Sequence, residues 1–239
     1  MEAFDESELH KLIQEALSED SPNPFASSTN YLGFAETDLL EVLYNKLSYK
    51  VVGSELNEIF YDLRNDILSR KISLSTKDIH TITKNCNKCS LDSSAELPKW
   101  NTENPDILVV IESPSIPPEA ISLMVSSFKE ANLSSDRLCL TYVNRCPAKR
   151  KYENSEIINC SPYLHSEIQS INPKLILSMG GLPSSVLFGT EIRIKDFRGK
   201  VTWLGYWPIL ATYSPMYVLK SNQFEQYNSD IAQASSFVA

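Results

Sequence analysis

The sequence predicts an α/β protein, a three-layer α/β/α sandwich built on a mostly parallel central sheet, and two observations carry that prediction. Four short apolar runs, at 106–111 (DILVVI), 138–143 (LCLTYV), 174–179 (KLILSM) and 207–212 (WPILAT), have the continuous character of strands buried on both faces. Helix-like stretches at 117–131, 153–171 and 181–188 separate them, an alternation that sets strands parallel and puts helices over both faces of the sheet. In such sheets ligands bind at the carboxyl ends of the strands, so chemistry is expected in the loops after Ile111, Val143, Met179 and Thr212.

Upstream of the sheet the periodicity is helical. Residues 4–18 (FDESELHKLIQEALS) carry apolar side chains at helical spacing, and 21–28, with Pro22 and Pro24, reads as a linker. Amphipathic helices are expected at 37–47 and 54–68, with Thr37 and Ser54 as N-caps and Gly53 breaking the chain between them. A short helix at 75–84 ends just before the first cysteines. The expected division is a helical extension, 1–75, and an α/β domain, 76–239. The extension holds no chemical motif, so packing or docking of a partner protein is its expected role.

Charge is unevenly placed. The formal net charge is −8, and residues 1–40 hold nine acids against Lys11 alone, which accounts for all of it. The remainder balances at 21 basic and 21 acidic residues, so the acidic total does not exclude a nucleic-acid partner, which needs only a local basic patch. With 42% hydrophobic residues the chain can bury a sizeable core, yet no run approaches the roughly 18 apolar residues of a membrane span. The acidic N-terminus is unlike a signal or transit peptide, so an intracellular, soluble protein of the bacterial cytoplasm is expected. Frequent Asn, Ser, Ile and Lys fit an AT-rich genome such as a phage carries.

Five cysteines is an odd number, and in a reducing compartment a CxxC pair points to a metal or redox site rather than a disulfide. Cys86 and Cys89 form that pair, Cys146 follows the second strand, and Cys160 falls in the first turns of the next helix. Convergence of these four thiols makes a metal or iron–sulfur constellation, and soft thiolates suit an iron–sulfur cluster or zinc equally. Cys139, inside the second strand, reads as a small core residue. Around Cys146, from Arg145 to Lys151, runs a basic loop. Arg145, Lys149, Arg150 and Lys151 put four cations in seven residues, enough to neutralise phosphates, although a run like this alone is as well explained by solvation.

Further motifs follow in order: Pro105-Asp-Ile-Leu-Val-Val-Ile-Glu-Ser-Pro114, Arg145-Cys-Pro147, Cys160-Ser-Pro-Tyr-Leu164, Asn172-Pro-Lys-Leu-Ile-Leu-Ser-Met-Gly180, Phe197-Arg-Gly-Lys200 and Ala211-Thr-Tyr-Ser-Pro-Met-Tyr-Val-Leu-Lys220. From Cys86 to about Lys220 this series resembles the uracil-DNA glycosylase superfamily, most closely its iron–sulfur family-four enzymes. The resemblance implies a 4Fe–4S cluster on Cys86, Cys89, Cys146 and Cys160, and the 13 residues between the last two sit close to the family's spacing. It implies active-site positions at Glu112, Ser113, Asn144 and Ser214. It also implies DNA contacts through Arg145, Lys149, Arg150, Lys151, Gly180, Arg198, Lys200 and the loop of Ser214, Pro215, Met216, Tyr217, Leu219 and Lys220. In that loop Met216, Tyr217 and Leu219 are candidates for an apolar wedge in the minor groove.

Excising a base requires flipping it from the stack, positioning water, and stabilising charge on the departing ring. Here the sequence departs from the family. Both glycines of the family's Gly-Glu-Ala-Pro-Gly are replaced in Ile111-Glu112-Ser113-Pro114-Ser115, and the loop bearing a base-stacking phenylalanine is missing before Ile116-Pro-Pro118. Tyr142 stands where the family has its base-reading asparagine, with Asn144 two residues on, and Ser214 stands where it has histidine. None of His10, His80 and His165 falls where it would compensate. The expectation is a cluster-bearing DNA-binding protein, catalytically degenerate, serving as an accessory factor in DNA replication or repair, its N-terminal helices docking a protein such as a polymerase. Two alternatives stand beside it: an active glycosylase with an altered pocket for uracil or a modified pyrimidine, using Glu112 with Asn144 or Ser214, and a binding module that never meets DNA.

Overall fold

A computed structural model describes residues 55–69, 75–89, 91, 95–100 and 103–239. The helices expected at 4–18 and 37–47, the linker at 21–28 and the caps Thr37 and Ser54 lie outside these residues.

All four apolar runs are strands. β2 (Ile107–Ile111), β3 (Leu138–Tyr142), β4 (Leu175–Met179) and β6 (Trp207–Thr212) are parallel and buried along their whole length. Two short antiparallel strands close the edges, β1 (Lys99–Trp100) on β3 and β5 (Val201–Leu204) on β6. The order is β1-β3-β2-β4-β6-β5. Alternate side chains enter opposite cores, as the two-residue period of a strand requires: Ile107, Val109 and Ile111 on one face, Leu108 and Val110 on the other. The first face is covered by α3 (Pro118–Glu130) and the C-terminal helix α8 (Phe224–Phe237), through Met124, Phe128, Tyr227 and Ile231. The second is covered by α1 (Glu55–Ser69), α4 (Asn154–Ile171) and α5 (Gly181–Phe188), through Phe60, Leu63, Leu164, Ile168, Val186 and Leu187. Two helical layers on one sheet make the expected three-layer sandwich.

Local chemistry sets the element ends. Ser75 caps α2 (Thr76–Lys84) with a capping box, its hydroxyl accepting from the Asp78 N–H at 3.2 Å. Pro118 opens α3 at a position where a missing N–H costs nothing. Inside α4, Pro162 removes the donor that Ile158 would receive, and the Ser161 hydroxyl donates to that carbonyl instead at 3.0 Å. Asn172, left-handed at the end of α4, accepts from the Trp207 indole at 3.0 Å, tying the turn into β4 to the start of β6. At the amino end Asp106 takes Arg137 at 2.6 Å and Lys174 at 2.8 Å.

The helix at 55–69 takes the packing role, one of the two expected of the extension. Phe60 and Leu63 enter the same core as Leu164 and Val186, so α1 is a wall of the α/β domain. The boundary expected at residue 75 therefore falls within packed structure.

Candidate functional site

The parallel register brings the four expected loops to one edge in a row: Asn144 lies after β3, Glu112 after β2, Gly180 after β4 and Ser214 after β6. The Asn144 N–H donates to the Glu112 carbonyl at 2.9 Å, extending the β2–β3 ladder one step beyond the strands. The Gly180 N–H donates to the Thr212 carbonyl at 2.9 Å. Gly180 has φ +110°, and a Cβ there would meet the Ser214 Cβ at 3.1 Å, so the two last loops touch because this residue is glycine. Arg198 and Lys200, which follow the short helix α6 (Ile194–Phe197), reach the same edge, since β5 runs back along β6 with Val201 opposite Leu210 and the Gly199 N–H donates to the Ala211 carbonyl at 3.0 Å.

Beside this row lies a cleft of about 710 Å³, lined by Phe60, Glu112, Lys151, Tyr152, Asn154 and Leu182 among others. A smaller cavity, about 390 Å³, opens near the start of β3 between Trp100, Phe128 and Leu138 and contains none of the expected site residues. Glu112 is open to solvent at the cleft, yet the protein atoms crowding it raise its carboxyl above the usual carboxylate range, with Lys151 pulling it back. Asn144 is buried, and neither atom of its side-chain amide has a hydrogen-bond partner. Ser113 is also buried. Its hydroxyl accepts from the Ser115 N–H at 3.2 Å, and the Ser115 hydroxyl accepts from the Ala148 N–H at 2.9 Å, stitching the loop after β2 to the loop after β3. Ser214 caps α7 (Pro215–Ser221), its hydroxyl accepting from the Tyr217 N–H at 3.2 Å. Tyr142 is buried in the first core, against Leu140 and Ile111. Of the histidines, His165 is buried in α4 and His80 half-buried in α2, both away from the row; His10 lies outside the described residues.

The thiols gather behind the loop after β3. The Arg145 N–H donates to the Cys160 sulfur at 3.2 Å, and the Asn159 side chain donates to the Lys88 carbonyl at 2.9 Å, docking the CxxC turn on α4. The Lys88 ammonium sits 5.3 Å from the centre of the Tyr163 ring. The Tyr152 hydroxyl donates to the Cys146 carbonyl at 2.7 Å. Burial pushes the Cys160 thiol up to about 11, with Cys146 and Cys86 near enough to add to the shift, and Cys86 bonds the Tyr163 hydroxyl. Among the described residues no three His, Cys, Asp or Glu side chains stand close enough to share one metal ion. Ligands of a single zinc would lie about 4 Å apart, whereas a multi-iron group spreads its sulfurs over several irons, so a looser gathering of thiols is compatible with the larger group. An all-sulfur donor set with a backbone N–H already aimed at one sulfur suits such a group.

The basic loop divides. Arg145, expected at the DNA, is turned inward: it is 1% exposed and pairs with the fully buried Glu167, while also donating to the Thr141 hydroxyl at 3.0 Å. A guanidinium so placed cannot reach a phosphate, which corrects that expectation. Lys149 and Lys151 are exposed, as is Arg150, whose guanidinium grips Glu156 in a bidentate pair at 2.7 and 2.9 Å. Arg198 is likewise engaged, with Asp230 at 2.6 Å and the Gln226 carbonyl at 2.7 Å, and packs over Tyr213. Lys200 and Lys220 are exposed, and Met216, Tyr217 and Leu219 stand out from α7, while Pro215 is buried. Sequence reasoning missed Phe60, Tyr152, Asn154 and the Glu167 partner of Arg145. Only Tyr152 had a local signal, an aromatic residue directly after the basic run.

A parallel α/β/α sheet with motif-bearing loops in a row at its carboxyl edge defines the class. Residues 118–232, just under half of the chain, match the family model of the Uracil DNA glycosylase superfamily. It is 27% identical to the type-4 uracil-DNA glycosylase of Thermotoga maritima over 48% of this chain and 64% of the relative. It is 31% identical to that of Sulfurisphaera tokodaii over 39% of this chain and 50% of the relative, and 25% identical to that of Archaeoglobus fulgidus over 65% and 89%. The chain thus spans less than two thirds of the first two relatives. No helix among the described residues is long and apolar enough to cross a membrane.

Proposed function

We propose that the chain is an iron–sulfur DNA-binding protein on a glycosylase scaffold, with base excision reduced or lost, acting as an accessory factor in DNA replication or repair. The observation that carries this reading is the Ser214 hydroxyl. Standing where the resembled family has its histidine, it is committed to capping α7 and brings neither the charge nor the reach of an imidazole. The burial of Tyr142 in the core supports the same reading, because no base-reading group is offered from that position. DNA would be gripped at the carboxyl edge through Lys149, Arg150, Lys151, Lys200 and Lys220, with Met216, Tyr217 and Leu219 set beside them as a wedge. Cys86, Cys89, Cys146 and Cys160 would hold a 4Fe–4S cluster, with zinc fitting less well because no three of these side chains stand close enough to share one ion; when bound, the cluster supplies a structural crosslink between the CxxC turn, the end of β3 and α4. The relatives named as type-4 uracil-DNA glycosylases support action on DNA. Docking of a replication or repair protein is assigned to the acidic segment 1–40, since α1 is already packed.

A second reading is favoured by one observation, the buried, unpaired Asn144 amide beside Glu112. A buried polar group without a partner calls for an acceptor or donor from outside the protein, and a bound base is one that fits a strand end. In this reading Glu112 positions water and Asn144 holds the edge of uracil or a modified pyrimidine, making the protein an active glycosylase with an altered pocket.

One experiment separates the two. The protein is purified without air and incubated with duplex and single-stranded oligonucleotides carrying uracil or 5-hydroxymethyluracil, and abasic-site cleavage and DNA retention are read together. Salt-sensitive retention without base release is the expected result. Abasic sites that vanish in Glu112→Gln would overturn it in favour of the glycosylase.

A further inference from the structure

We propose that the buried Arg145 guanidinium is the counter-charge of the four-thiol site, a positioning residue that, held by Glu167, sets how readily the group on those thiols is reduced. This rests on the iron–sulfur reading above and goes beyond it to two residues of this chain.

Arg145 and Glu167 are 1% and 0% exposed, deeper than any surface ion pair. Only one guanidinium nitrogen is engaged: Nη2 donates to Thr141 Oγ1 at 3.0 Å and to Glu167 Oε2, which also receives the Thr141 hydroxyl at 2.5 Å. Nε and Nη1 of Arg145 have no partner, nor has Glu167 Oε1. Unmet donors inside a protein are costly and rare, and two on one guanidinium point to an acceptor that belongs there. Its backbone fixes the neighbourhood. The Arg145 N–H already donates to the Cys160 sulfur, and the next residue is Cys146.

Thiolates on a cluster form a strongly anionic group, and hydrogen bonds to the sulfurs and nearby charge set its potential. Arg145 cannot deprotonate, so its charge is permanent. It stabilises the reduced, more negative state, and Glu167 tempers the effect by neutralising it in part. A purely structural ion pair makes the opposite forecast, since replacing both partners by apolar residues of similar volume is then close to neutral everywhere.

The test uses the full chain, purified without air, as wild type, Glu167→Gln and the double variant Arg145→Met/Glu167→Met. Iron and acid-labile sulfide per chain, thermal melting and the midpoint of the one-electron couple, titrated with dithionite and mediators, are measured on each. Glu167→Gln is expected to shift the midpoint to more positive potential, and the double variant to shift it to more negative potential. A double variant that melts as wild type yet loses its iron also supports the proposal. The double variant carries the test if Glu167→Gln does not fold. Loaded proteins with equal midpoints would overturn the role of Arg145 while leaving the cluster intact. A wild-type chain without iron or sulfide would overturn the cluster and this inference together.

Discussion

At the scale of single residues, the site combines groups that are exposed but electrostatically strained with groups that are buried and unmet. Glu112 belongs to the first kind. Its folded pKa is raised, so between the ordinary carboxylate value and the raised one the native state binds more protons than the unfolded state, and stability falls as pH rises through that window. Glu112→Gln removes that cost. The variant is expected to melt slightly above wild type at pH 7, by well under about 1 kcal/mol because the carboxylate is open to solvent, and to match it below the ordinary carboxylate range. Melting curves across pH 3–8 decide it, and a loss of stability at pH 7 would mean that the Lys151 attraction outweighs the crowding. Arg145 illustrates what a sequence conceals at this scale. Four cations in seven residues read as one surface patch, and nothing local distinguishes the one whose partner, Glu167, lies 22 positions away on another element.

At the scale of elements, legibility followed hydrophobic continuity. The four parallel strands were visible because strands buried on both faces leave an unbroken apolar run, and the helices between them began and ended within a residue or so of expectation. The edge strands were not. β1 is two residues long, and β5 exposes Trp203 while pairing on one side only, so neither carries a period to read. In α8, Tyr227, Ile231 and Ala234, with Val238 just past its end, do fall at helical spacing, but polar residues between them obscure the stripe. α1 was legible as a helix, yet its place was not, because an amphipathic face announces burial without naming what it is buried against. The packing of Phe60 into the core makes α1 a stabilising wall and one side of the Glu112 cleft. Phe60→Ala is expected to cost about 3 kcal/mol, measured by urea denaturation, and to raise amide exchange along 55–69 before the sheet exchanges. Uniform loss of protection throughout would show that α1 unfolds only with the whole domain.

At the scale of the whole molecule, the question is how a chain of net charge −8 binds a polyanion. The acids responsible are concentrated in residues 1–40, whereas the carboxyl edge of the sheet presents exposed Lys149, Lys151, Lys200 and Lys220. At physiological salt charges more than about 8 Å apart are largely screened from one another, so a phosphate responds to the cations it touches more than to the net charge of the chain. Affinity should then depend on which cations meet phosphate rather than on the total. Each such cation contributes about 0.9 to the slope of log K against log salt. Lys149→Ala and Lys151→Ala together are expected to flatten that slope by about 2 for duplex DNA, with affinity lowered alike on all sequences. Arg150→Ala should flatten it less, because Glu156 already neutralises that guanidinium, and Arg145→Met/Glu167→Met should leave it unchanged. Fluorescence anisotropy between 50 and 300 mM salt measures all of these on the same oligonucleotide. An equal flattening by every variant would mean that the long-range field, not the row of loops, governs binding, and the carboxyl edge would lose its claim to the DNA.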